Sequence, residues 1–183
     1  MTNAPRPDPG ITGIAAGAVL CATAAITVVV LASAAVSLAG LADETRKMLR
    51  FGFGGVEQSP SEVARLAIHN ARFAGGTLLC AGLAPRLTKH ARRAVDLLLG
   101  GLLTFNAAAV GIAIGAYGMR TITATATHLP VEFAALSLAG GAYMQACKQP
   151  LSARELAAAA TATGLLLIAA AALETYVSTG GAR

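Results

Sequence analysis

The sequence contains no tryptophan, and only 4% of its residues are aromatic and 13% charged. Globular domains in water carry about 25% charged residues, so a soluble globular domain is the class this chain fits least. Three cysteines in 183 residues, Cys21, Cys80 and Cys147, are too few and too scattered for a disulfide framework. None stands in a CxxC pair or beside a histidine at metal-ligand spacing, and all three read as small apolar residues within apolar stretches. Disorder is excluded because it needs low hydrophobicity and high net charge, whereas 55% of this chain is hydrophobic. The phosphate-binding loop, the dinucleotide glycine pattern and the nucleophile elbow are missing, which excludes an ATPase or a soluble hydrolase for this chain alone. Alternation with a period of two is missing as well, and with it a transmembrane β-barrel.

What is present is long apolar sequence. Residues 10–42 hold no charged side chain. As a helix they would extend about 50 Å at 1.5 Å per residue, against a hydrocarbon core of about 30 Å, so the helix is expected to tilt or to emerge at one end. The run is too long for the apolar region of a signal peptide, about 7–15 residues, and is read as a membrane span. Four further helices are expected at 60–84, 94–119, 128–146 and 153–177, with an interfacial segment at 43–59 containing a Gly52-Phe53-Gly54-Gly55 hinge. Ser59-Pro60-Ser61-Glu62 and Ser152-Ala153-Arg154-Glu155 match the capping box that opens a helix, and Pro85 ends the second one. The expected fold is all-α: a single domain, 1–183, forming a polytopic membrane bundle of five helices with short loops. Small residues at Gly13 and Gly17, and at Gly111 and Gly115, permit close helix contact without specifying a partner.

The net charge of +5 is better explained by topology than by nucleic acid, because the basic residues lie between apolar runs. With the N-terminus in the cytoplasm, the inner face holds Arg6, Arg86, Lys89, Arg92, Arg93, Lys148 and Arg154. The outer face holds Arg46, Lys47, Arg50, Arg120 and Arg183, while Arg65 and Arg72 are embedded in a helix. The bias of seven to five places the N-terminus of a multi-pass cell-membrane protein inside.

Ionisable groups within a membrane helix cost about 2.5–3.5 kcal/mol each, so each one calls for a partner or a purpose. Glu62, Arg65, His69 and Arg72 recur at steps of three and four as one polar stripe, with Asn70 beside it. His128 and Glu132 lie one turn apart on one helix face. Asn106 falls in the middle of the third span and Glu174 near the end of the fifth. In the expected topology His69, Asn70, Arg72, His128, Glu132 and Glu174 share the outer leaflet, where they would converge on one cavity. Three readings compete for His128 and Glu132. The first is a structural clamp, with Arg72 as counter-charge to Glu132. The second is an acid/base pair or a substrate contact. The third is a metal site, for which His69 or Glu174 would have to supply another ligand. Asn106 is read first as a hydrogen bond between helices, worth about 0.6 kcal/mol in membranes, ahead of a role in transport.

Three segments in order resemble the stage II sporulation protein M family of integral membrane proteins. They are Ala67-Ile68-His69-Asn70 with the glycine-rich stretch after it, Leu103-Thr104-Phe105-Asn106-Ala107 followed by Gly111, and His128-Leu129-Pro130-Val131-Glu132 followed by Ala139-Gly140-Gly141. The resemblance spans residues 62–145. This chain departs from the family at Leu129 and Ala107, where the family often has glycine. The resemblance implies a multi-span protein of the bacterial inner membrane that works in complexes: with cell-wall remodelling proteins, beside ABC transporter components, or in the maturation and export of circular bacteriocins. The positions it carries over are Asn70, Asn106, His128 and Glu132.

Three functions are weighed. The first is a non-enzymatic membrane subunit acting with other membrane proteins, such as an ABC transporter, or with a peptide precursor. The second is an intramembrane peptidase or peptide cyclase using Glu132 and His128 as catalytic groups. The third is a small carrier or channel, against which the lack of inverted repeats counts. The expected surroundings are membrane lipid, partner membrane proteins and a second copy of the chain, and no nucleic acid. No cofactor is identified by the sequence, and its metal candidates are His128, Glu132 and His69.

Overall fold

The structure, a computed structural model, describes residues 9–51 and 57–178. The Gly52-Phe53-Gly54-Gly55 hinge, Arg6 and Arg183 lie outside these residues. Among the described residues every regular element is a helix: α1 (Pro9–Leu38), α2 (Ala42–Leu49), α3 (Pro60–Leu83), α4 (Lys89–Tyr117), α5 (Met119–Thr125), α6 (Leu129–Lys148) and α7 (Ala153–Tyr176), with one 3₁₀ turn at Ala84–Arg86. The five long helices correspond to the five expected ones; α2 and α5 are additional.

The differences from expectation have local causes. The first apolar run does not continue as helix to residue 42. It stops at Leu38 because Gly40 takes the left-handed conformation (φ +68°). There the Leu41 N–H donates to the Val36 carbonyl and the Gly40 N–H to that of Ser37, closing the helix end. The basic stretch after Pro85 is helix rather than loop from Lys89 onward, since the Thr88 hydroxyl accepts from the Ala91 N–H at 3.3 Å and caps α4 five residues earlier than expected. The threonine-rich link is mostly α5, turned back at Gly118 (φ +59°) and held by the Thr121 hydroxyl donating to the Ala113 carbonyl. Both capping sites form. At α7 the box is complete, whereas at α3 the Ser59 hydroxyl caps Glu62 but the Glu62 carboxylate turns to Arg65.

The helix α6 is central, packing against α1, α3 and α7, while α1 lies between α6 and α4. Glycines allow both close crossings of α1. A Cβ built on Gly17 would meet the Gly141 Cα at 2.8 Å, and one on Gly115 would meet the Ser33 carbonyl oxygen at 2.7 Å. The small-residue spacings are thus used, the first against α6 and the second against α1. The short α2 has no buried residue and is tied to the end of α4, where the Tyr117 hydroxyl accepts from the Phe51 N–H at 3.1 Å.

Among the described residues three helices are long and apolar enough to cross a membrane, Gly10–Leu38, Lys89–Tyr117 and Ala153–Tyr176, rather than the five expected. The two that fall short are α3, with Glu62, Arg65 and Arg72, and α6, with Glu132 and Lys148. Their setting explains the composition. The most covered helix, α6, buries Ser137, Tyr143 and Gln145 against protein, so its side chains need not suit lipid. In the outer helices α1 and α4 large apolar side chains face outward, with Val19 65%, Leu31 64%, Leu97 79% and Phe105 72% exposed. Apolar surface on this scale is unfavourable in water and suits a bilayer.

Candidate functional site

The starts of α3 and α6 meet the end of α7 at one end of the bundle. His128 is the residue that caps α6: its carbonyl accepts from the N–H groups of Val131 and Glu132 at 3.1 and 3.0 Å. Its ring is buried, 8% exposed, and its Nδ1 lies 3.0 Å from the Ser178 hydroxyl just beyond α7. Ser178 also pairs with the Thr127 hydroxyl at 2.7 Å. This network joins the start of α6 to the end of α7.

Glu132, one turn further along α6, is half-buried. Glu174, in the last turn of α7, stands close enough for its charge to act on Glu132, His128 and Arg65. Arg65 in turn holds Glu62, with Nε 2.8 Å from the carboxylate. The cation of this group is therefore Arg65. Arg72, expected to be the counter-charge of Glu132, is exposed and makes no ion pair within 4.0 Å among the described residues.

The expected site assembles in part. His128, Glu132 and Glu174 come together, and Arg65 joins them. His69 is exposed on α3 and Asn70 is half-buried beside it. Asn106 lies on the outward face of α4, where its amide donates to the Leu102 carbonyl of its own helix at 2.9 Å. Among the described residues no three His, Cys, Asp or Glu side chains are grouped to hold a metal ion. Among the described residues His128 and Glu132 share no hydrogen bond, and the His128 Nδ1 is directed to Ser178. What the group offers chemically is three half-buried carboxylates, Glu62, Glu132 and Glu174, near a single exposed guanidinium that is already paired with Glu62.

Two other polar arrangements, towards the opposite end, were not expected. The Arg92 guanidinium donates to the carbonyls of Cys147 (3.1 Å) and Ala84 (3.0 Å), at the C-terminal ends of α6 and α3. There its charge also complements two helix dipoles. The Tyr143 hydroxyl, on α6, donates to Asp96 Oδ1 of α4 at 2.6 Å. Neither pairing had a signal in the sequence beyond the residue types themselves. The cysteines are free and half-buried, and the Cys21 thiol meets Met144 Sδ at 3.7 Å. No protein-family model, no curated protein and no solved structure matches this chain.

Proposed function

We propose that this protein is a multi-pass subunit of the cell membrane, five-spanning with its N-terminus in the cytoplasm. It acts with partner membrane proteins in peptide maturation or export, or in remodelling of the cell envelope. The resemblance to the stage II sporulation protein M family supports this reading. So do the five helices of 20–30 residues, each about 30 Å or longer at 1.5 Å per residue.

The observation that carries it is the outward face of α4. Leu97, Leu98 and Phe105 are exposed there, and Asn106, at mid-helix, stands among them. An amide in a lipid-facing stripe gains by hydrogen bonding to a neighbouring transmembrane helix, so the face suits a partner. Replacing Asn106 by Leu is expected to leave the protein level unchanged and to weaken association with its partners and pathway output. Full output from Asn106→Leu contradicts the subunit reading.

The grouping of Glu132, His128 and Glu174 favours the second reading, an intramembrane enzyme. Glu132→Gln and His128→Ala separate the two. In the subunit reading His128→Ala lowers the amount of folded protein, and Glu132→Gln retains output. Normal folding and partner association with abolished output in Glu132→Gln would establish the enzymatic role instead.

A further inference from the structure

Although α3 and α4 follow one another in the chain, they barely touch. The gap between them is a cleft of about 200 Å³ open on one side, with α1 and α6 forming its floor. Phe73 of α3, Leu103 of α4 and Leu136 of α6 line its deep end, near the middle of the bundle. Asp96 and Tyr143 line the end nearer the basic turn of α4. From Asp96 to Leu103 is about 10 Å along the helix.

Among the lining residues Asp96 alone is charged. Its Oδ1 is fixed by the Tyr143 hydroxyl at 2.6 Å, while Oδ2 has no hydrogen-bond or cationic partner among the described residues. The nearby cations do not supply one. The Arg92 guanidinium is committed to the Ala84 and Cys147 carbonyls, and Arg93 is exposed and makes no ion pair with Asp96 within 4.0 Å. A carboxylate held in place at the mouth of an apolar slot is complementary to a positively charged group carrying a hydrocarbon tail. The slot is too small for a transmembrane helix, whose diameter with side chains is about 10–12 Å.

We propose that the cleft between α3 and α4 is a binding site for a single-chain amphiphile with a primary ammonium head, its nitrogen on Asp96 and its tail directed toward Phe73 and Leu136. The head makes a charge-assisted hydrogen bond with Oδ2, and the tail occupies apolar surface that four helices leave uncovered.

The test uses the full chain in phosphatidylcholine nanodiscs and n-octylammonium carrying a diazirine at the tail end, with labelled sites mapped by mass spectrometry. Labelling is expected at the deep end of the cleft, around Phe73 and Leu136, and is expected to be competed by unlabelled n-octylammonium but not by n-octanesulfonate. Asp96→Asn, which can still accept from Tyr143, is expected to weaken competition about tenfold, the loss of one charge-assisted bond. Gly100→Leu is expected to abolish the labelling, because a side chain built at Gly100 enters open space in the cleft without a clash. Labelling spread over the outward faces of α1 and α7, equal competition by the sulfonate, or full labelling of the Gly100→Leu protein overturns the proposal. If Asp96→Asn fails to fold by circular dichroism, the sulfonate competition and Gly100→Leu decide.

Discussion

Arg92 shows how much one side chain can do when apolar helices end together. It bridges the ends of α3 and α6 through the Ala84 carbonyl, which also accepts from the Leu87 N–H at 3.3 Å, and the Cys147 carbonyl. Arg92→Ala is expected to lower stability by about 1.5–3 kcal/mol, the range for a hydrogen-bonded charge, measured as unfolding in detergent micelles. Arg92→Lys should recover only part of this, since an ammonium lacks the planar fork that reaches both carbonyls. Unchanged stability of Arg92→Ala would show that the bridge contributes nothing. Tyr143→Phe is expected to cost about 1 kcal/mol in the same assay through loss of the Asp96 bond; a neutral result would remove that bond from the account. The sequence marked His128, Glu132 and Glu174 because charge and imidazole are costly in lipid, and they do converge. It could not mark Arg92 or Tyr143 as partners: Arg92 was one of four bases in a short stretch, and a tyrosine in an apolar helix gives no hint of what its hydroxyl reaches. Pairing Glu132 with Arg72 also failed. The two arginines share one face of α3, two turns apart, and it is Arg65, nearer the start of the helix, whose charge reaches Glu62 and Glu174.

At the scale of elements, the sequence marked where apolar segments lie better than where helices stop. Gly40 ended α1 inside a run without charge, because backbone conformation, not polarity, terminates that helix. Thr88 began α4 inside a basic stretch, because a capping hydroxyl outweighs local charge. The crossings of α1 depend on absent side chains. Gly141→Ala is expected to disrupt the α1–α6 contact, since its Cβ would meet the Ala18 backbone nitrogen at 2.5 Å. Overpacking of this kind costs about 1–3 kcal/mol. Gly75→Ala, where nothing lies within 4 Å, should instead stabilise α3 by about 0.5–1 kcal/mol. Thermal unfolding of the two variants side by side checks the crossing; equal stabilities would place it elsewhere.

For the whole molecule, polarity is distributed as a bilayer demands. The three helices apolar enough to span a membrane present large side chains outward, and the two that fall short, α3 and α6, pack against α7 and against each other, α6 also against α1. Hydropathy alone marks three spans, and the count of five rests on α3 and α6 crossing as well. The side on which two exposed lysines are found tests this most directly: Lys47 in α2, before α3, and Lys89 at the start of α4, after it. In a background with Cys21, Cys80 and Cys147 replaced by alanine, Lys47→Cys is expected to be labelled by an impermeant maleimide in intact cells, and Lys89→Cys only after the membrane is opened. Labelling of both residues from the same side would mean that α3 does not cross, and would contradict the five-span account.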